Sequence, residues 1–194
     1  SLLGNVEYAA RHGADAEVLG DLRQDAARLA RLVDSLLALE RAGAARPGEP
    51  DQVPVALDRL ARDVVGDDES GRVTLERAEP VMVRGDGDAL RRALLNLVEN
   101  GLVHGPTGGR VTVAVERAGD RARLSVADEG PGPDPAGRDR LFERFWRGEG
   151  AADRPGSGLG LSIVAAIAAQ HGGEVVVDGS TFTLDLPAGE LSPR

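Results

Sequence analysis

Residues 88–104, DALRRALLNLVENGLVH, decide the fold because they predict a helix with two distinct faces. Asp88 is suited to cap a helix that we predict from Ala89 to about Val103. At about 100° per residue, the polar face carries Arg92, Asn96, Glu99, Asn100, Val103 and His104, and the apolar face carries Leu90, Leu94, Leu95, Leu97, Val98 and Leu102. Two carboxamides one turn apart therefore project from a helix whose other side is anchored in a core.

The carboxamides of Asn96 and Asn100 are suited to a phosphate ligand that carries a metal ion. Amide oxygens are acceptable ligands for Mg²⁺, and amide N–H groups can donate to phosphate oxygens. The alternative is a solvated polar face without a ligand.

A carboxylate followed by glycines stands in Asp128-Glu129-Gly130-Pro131-Gly132, directly after a strand predicted over Ala122–Ala127. The glycines let a flat ligand approach the backbone closely. An acceptor-only side chain suits the exocyclic amino group of adenine. The alternative is that Asp-x-Gly is only a turn.

Residues 156–161, GSGLGL, lead into an apolar helix predicted over Leu159–Gln170. Glycines before a helix N-terminus expose unpaired N–H groups, which suit phosphate. The spacing is not that of a Walker A loop, and the setting is not that of a Rossmann fold. The alternative is a glycine-rich connection with no ligand.

Between these two motifs, residues 141–147, LFERFWR, form a short aromatic segment that we expect to anchor a mobile loop. Arg144, Arg147 and Arg154 are the candidates to meet phosphates if that loop closes over a nucleotide. The alternative for each of them is a solvated basic side chain.

The rest of the chain predicts a helical hairpin over residues 1–42, a linker over 43–52, a mixed helix and strand region over 53–188, and a tail over 189–194. Leucines on three- and four-residue steps give the hairpin a heptad seam, and two prolines mark the linker. Short strands are predicted at Val53–Val55, Val73–Leu75, Val81–Val83, Val111–Val115, Ala122–Ala127, Glu174–Val177 and Thr181–Leu186. We expect the α+β class, a two-layer sandwich with a mixed sheet covered by helices on one face.

Composition removes several classes of function. The 194 residues include no cysteine, which excludes a disulfide framework, a thiolate metal site and a cysteine nucleophile. The net charge of −9, without a dense basic run, argues against a nucleic acid partner. No apolar run approaches the roughly 20 residues that span a bilayer.

The succession NLVEN (96–100), DEGPG (128–132), LFERFWRG (141–148) and GSGLGLSI (156–163) resembles the N, G1, F and G2 boxes of sensor histidine kinases, within the Bergerat-fold (GHKL) ATPases. The resemblance covers about residues 53–188 for the catalytic domain. Residues 1–42 resemble the end of the first dimerisation helix and most of the second.

The resemblance implies Mg-ATP bound between the N-box helix and a flexible lid. It implies that Asn100 binds Mg²⁺, that Asn96 and His104 lie near the phosphates, and that Asp128 accepts from the adenine amino group. The adenine pocket and the lid would be shaped by Gly130, Gly132, Phe145, Arg147, Gly156, Ser157, Gly158, Leu159 and Gly160. Asn96, Glu99 and Asn100 are the expected catalytic residues.

Two departures from the family pattern stand out. Val103 replaces the Lys or Arg that relatives often have, and no H box of the His-Glu-x-x-x-Pro type is present. His12 and His171 are predicted as helix-end histidines, and Ser1 is expected just after the missing box, in agreement with the unequal hairpin arms. Asn96 cannot act as a base, so transfer to a protein acceptor fits better than hydrolysis, although Glu99 lies on nearly the same face.

We therefore expect the ATP-binding core of a bacterial two-component kinase that transfers the γ-phosphoryl group to a histidine. The implied partners are a second copy through the hairpin and a response regulator, without nucleic acid or membrane contact by this piece. It would be the cytoplasmic portion of a membrane-anchored sensor. The alternatives are a non-catalytic nucleotide-binding or dimerisation module, and a Bergerat-fold serine kinase of the anti-sigma type.

Overall fold

The computed structural model describes residues 53–148 and 156–189. The predicted hairpin (1–42), the linker (43–52) and Arg154 lie outside these residues, and so does the tail apart from Gly189. Within the described part of the chain, no helix has the length and apolarity needed to cross a membrane.

In the described part of the chain, three α-helices and seven strands follow one another in an irregular order. They are β1 (Val53–Ala56), α1 (Leu57–Gly66), β2 (Val73–Ala78), β3 (Met82–Gly85), α2 (Gly87–His104), β4 (Val111–Ala118), β5 (Arg121–Asp128), α3 (Gly160–Gln170), β6 (Glu174–Asp178) and β7 (Thr181–Pro187). A 3₁₀ helix, Pro135–Arg140, lies between β5 and α3. Within the described residues, each predicted strand and helix is present, with bounds that differ by a few residues.

Five strands form a mixed sheet in the order β2-β4-β5-β7-β6. The β2–β4 pair is parallel and the other three pairs are antiparallel. Strands β1 and β3 form a separate antiparallel ribbon. The last of the described strands, β7, thus lies inside the sheet between β5 and β6.

One face of the sheet is buried beneath the helices. Alternate residues of the central strands, such as Val113, Leu124 and Leu184, have no exposed surface, and Leu94 of α2 and Val164 of α3 are equally buried. Burying one such side chain contributes about 1.5–3 kcal/mol. The α+β prediction of a sheet covered on one face by helices is therefore confirmed.

The opposite face is polar. Ser125 Oγ and Thr183 Oγ1 lie 2.9 Å apart across β5 and β7, and Arg121 Nε donates to Asp185 Oδ1 at 2.5 Å. This pattern follows from strand alternation, which places every second side chain on the uncovered face.

The predicted cap of α2 was wrong by two residues. The N-cap is Asp86, in extended conformation, and its Oδ1 accepts from the amides of Asp88 (2.9 Å) and Ala89 (3.1 Å). Asp88 lies in the first turn instead, where its charge still favours the helix N-terminus. Either carboxylate could have capped the helix, and the path of the backbone from β3 places Asp86 at the N-cap.

Leu95 was also assigned to the wrong face of α2. It is 41% exposed, whereas Ala93 and Gly101 are buried. The buried face of α2 therefore excludes Leu95 and includes two small residues, Ala93 and Gly101, that were not predicted to be buried.

His171 joins the end of α3 to the start of α2. Its buried ring lies with Nδ1 2.7 Å from Ile167 O, and its Nε2 accepts from the Asp86 amide at 3.0 Å. The second bond requires an unprotonated Nε2, so Nδ1 carries the proton and donates to the carbonyl. The predicted helix-end position of His171 is confirmed, since α3 ends at Gln170.

Candidate functional site

The carboxamide of Asn96 lies beside residues 156–160, which lead into α3 and which we call the glycine loop. A methyl group on Gly160 would lie 3.7 Å from Asn96 Oδ1, so loop and side chain are neighbours. Asn96 Nδ2 is buried and has no hydrogen-bond partner among the described residues. A buried unpaired donor costs about 1–3 kcal/mol, so an acceptor on a bound ligand would relieve that cost.

The other polar residues of α2 surround Asn96 at different depths. Asn100, one turn further along, is half-buried, whereas Glu99 and His104 are exposed. Val103 is half-buried on the same side of the helix. The predicted polar face of α2 is thus present, and Asn96 carries a buried donor on it.

Asp128 ends strand β5 in a setting made mostly of glycine backbone. Its Oδ1 accepts from the Gly130 amide at 2.7 Å. Methyl groups on Gly101 and Gly105 would each lie 3.4 Å from the Asp128 side chain. Oδ2 accepts no hydrogen bond from the described residues, which leaves this oxygen for a ligand.

The electrostatics of Asp128 match this setting. Burial raises the pKa of the Asp128 carboxyl, and the Gly130 amide and the nearby His104 only partly oppose that rise. A ligand N–H group that donates to Oδ2 would favour the ionised form.

The third cluster ties the aromatic segment to the glycine loop. The Phe145 amide donates to Gly158 O at 2.9 Å, and Phe145 has φ of 64°, which is uncommon for a residue with a side chain. A methyl group on Gly158 would lie 2.8 Å from Phe145 C and from Trp146 O. The aromatic segment and the glycine loop are therefore in direct contact at Gly158.

Trp146 fixes the aromatic segment to the 3₁₀ helix. Its ring packs on Gly137, where a methyl group would lie 2.7 Å from Trp146 Cη2, and the Arg140 guanidinium lies 6.0 Å from the ring centroid. Phe145, in contrast, is 61% exposed. Arg144 is exposed and Arg147 half-buried. Phosphate contact by these two arginines, and the place of Phe145 in the nucleotide site, stay predictions.

The glycine loop places its predicted residues in different roles. Ser157 Oγ accepts from the Leu159 amide at 3.3 Å, and Leu159 itself has no exposed surface. The side chain of Leu159 thus belongs to the core, and only its backbone could face a ligand. Gly156 and Gly158 have positive φ, which a glycine adopts without strain.

Three residues beside Asp128 were missed by sequence reasoning. Gly101 and Gly105 follow the NLVEN segment and let Asp128 approach α2, but isolated glycines near a helix end resemble ordinary caps. Ser180 donates from Oγ to Asp128 O at 2.6 Å across 52 residues. No local pattern predicts a contact at that separation.

The fit of a metal ion to this site can be judged from the side chains of the described residues. The described residues contain no group of three His, Cys, Asp or Glu side chains that could hold a metal. Mg²⁺ is commonly bound by one or two protein groups together with substrate phosphates. A single carboxamide oxygen from Asn100 fits that pattern.

Comparison with known proteins gives a consistent result. Residues 85–190 match the family described as histidine kinase-, DNA gyrase B- and HSP90-like ATPase. The sensor-like histidine kinase SenX3 of Mycobacterium tuberculosis is 38% identical over 178 residues, which cover 84% of this chain and 43% of SenX3. The probable sensor histidine kinase TcrY of the same species is 34% identical and covers 100% of this chain and 45% of TcrY.

Solved structures agree with this match. The mycobacterial sensor histidine kinase MprB superposes with a TM-score of 0.63 at 33% identity, over 72% of this chain and 99% of that chain. Full-length ShkA in complex with AMPPNP gives 0.74 at 30% identity, over 92% of this chain and 39% of ShkA. The chain spans less than half the length of the curated relatives named above, 43% of SenX3 and 45% of TcrY.

Proposed function

Because the chain belongs to the histidine kinase-, DNA gyrase B- and HSP90-like ATPase family, we propose that it is the ATP-binding catalytic part of a two-component sensor histidine kinase. The observation that carries the proposal is the buried, unpartnered Nδ2 of Asn96 beside Gly160. A phosphate oxygen at that point satisfies the amide, and a helix N-terminus begins there.

We assign the adenine, the phosphates and the metal ion to three neighbouring groups of residues. Adenine lies against the glycine backbone around Asp128, and its amino group donates to Asp128 Oδ2. The phosphates lie between Asn96 and the loop before α3. Asn100, together with the phosphates, would hold Mg²⁺, which would supply positive charge to neutralise the transferred group.

The reaction is transfer of the γ-phosphoryl group to an imidazole nitrogen. A bond forms between that nitrogen and the γ-phosphorus, the bond from phosphorus to the bridging oxygen breaks, ADP leaves, and the imidazole releases its proton. The acceptor is a histidine in an H box, a sequence that this chain lacks. A response regulator then receives the phosphoryl group, and residues 1–42 pair two copies of the kinase.

Asn96 favours transfer over hydrolysis because a carboxamide cannot take a proton from water. Val103 removes a basic phosphate contact that relatives often have, and Arg147 is the residue of the aromatic segment that we assign in its place. Glu99 is exposed on the polar face, where it is the remaining base for either reaction.

The test mixes the chain with γ-labelled ATP and a separately produced helical domain that carries an H box. We expect acid-labile label on the histidine of that domain, and loss of the label with Asn100→Ala. ATP binding without transfer would support a non-catalytic module, and label on serine would support the anti-sigma type of kinase. If the chain hydrolyses ATP in the absence of the acceptor domain, and the rate of hydrolysis is lower in Glu99→Gln, the result would point to an ATPase.

A further inference from the structure

The turn between β6 and β7 touches both ends of the segment 128–132. At the start of the segment 128–132, Ser180 Oγ donates to the Asp128 carbonyl at 2.6 Å. At its end, Gly132 has φ of 77°, and a methyl group there would overlap Gly179 O. The turn therefore supports the whole segment that carries Asp128.

Ser180 makes its bond where the regular strand pairing stops. The final β5–β7 pair is Ala127 with Thr181, and Asp128 pairs only with Val111 of β4. On the β7 side, the Asp128 carbonyl thus receives a side-chain hydroxyl. That bond restrains the backbone of Asp128 and with it the direction of its Cα–Cβ bond.

Asp128 is consequently held at two of its atoms, one in the side chain and one in the backbone. Gly130 fixes Oδ1 from the side-chain end at 2.7 Å, and Ser180 fixes the carbonyl from the backbone end at 2.6 Å. The other oxygen, Oδ2, accepts no hydrogen bond from the described residues, and we assign it to the ligand. We infer that Ser180 is a positioning residue that aims the Asp128 carboxylate at the amino group of adenine. This inference rests on the proposed nucleotide site.

The test compares two nucleotides that differ only in that amino group. Calorimetry would give the dissociation constants of ATP and of purine riboside triphosphate, which lacks the 6-amino group, for the wild type and for Ser180→Ala. We expect Ser180→Ala to weaken ATP binding about tenfold, the equivalent of one hydrogen bond, and to leave the analogue within about twofold. Ser180→Thr, which keeps the hydroxyl, should restore the ATP preference.

Ser125→Ala is the matched control. Ser125 also bonds across β5 and β7, to Thr183 Oγ1 at 2.9 Å, but on the uncovered face of the sheet. It should change neither affinity. If Ser180→Ala does not fold, as circular dichroism would show, Ser180→Cys keeps the volume with a weaker donor and should give the same loss in part.

Equal weakening of both nucleotides would overturn the inference, because Ser180 would then support the pocket as a whole. Unchanged affinity for both would overturn it as well. A wild type that binds the two nucleotides equally well would refute the adenine contact of Asp128, and with it the proposed site. The first two results leave the proposed function intact.

Discussion

At the scale of single residues, Asp128 is a group whose charge has opposite effects on binding and on stability. Asp128→Asn should weaken ATP binding about 10- to 100-fold, because a donor replaces the ionised acceptor that faces the amino group. The same change should raise the free energy of unfolding at neutral pH. Burial raises the pKa of Asp128 in the folded state, so the wild type loses stability as pH rises through that pKa, and the variant does not. Urea unfolding at acid and neutral pH measures the difference, and a variant less stable at neutral pH would contradict the assignment.

Asn96 gives a second prediction of the same kind. Asn96→Leu removes the buried unpaired amide and should raise the free energy of unfolding of the nucleotide-free protein by about 1 kcal/mol. Nucleotide binding should be lost. Asn100→Leu is the control, since Asn100 has no such buried unpaired atom and should lose binding without the gain in stability. A destabilised Asn96→Leu protein would show that its amide is satisfied in solution.

At the scale of elements, His171 links the two helices that carry the site. His171→Ala should lower the free energy of unfolding by about 2–4 kcal/mol, because the Asp86 amide loses its acceptor and a cavity forms. The exposed His104 is the control, and His104→Ala should change the free energy of unfolding by less than His171→Ala does. Equal effects in urea unfolding would argue against the link.

The joint between the aromatic segment and the glycine loop makes a further prediction. Gly158→Ala should break the bond from the Phe145 amide, because the methyl group meets the backbone of Phe145 and Trp146 and φ is 72°. Trp146 is the only tryptophan, so its fluorescence reports the change. Gly148→Ala is the control, since its methyl group would make an ordinary 3.5 Å contact with the same ring. An unchanged emission spectrum in Gly158→Ala would show that the joint tolerates a side chain.

At the scale of the whole molecule, the sequence predicted the elements well and their long-range contacts poorly. The alternation of apolar residues was sufficient for the strands, and the four motifs in order were sufficient for the family, because both signals are local. The bond from Ser180 to Asp128 spans 52 residues and that from Asp86 to His171 spans 85, so neither leaves a trace in local spacing. The choice of Asp86 over Asp88 depended on the path of β3, which spacing does not give.

The position of β7 has a consequence for how the chain comes to be folded. This strand is synthesised last among the described elements, yet it lies between β5 and β6 in the sheet. Until it emerges from the ribosome, β5 is an open edge whose backbone groups can pair with another chain. Asp128 also lacks the support of Ser180 during that time. A nascent chain therefore becomes able to hold adenine only when nearly all of this domain has been translated, and a chain interrupted before Glu174 would be prone to aggregate.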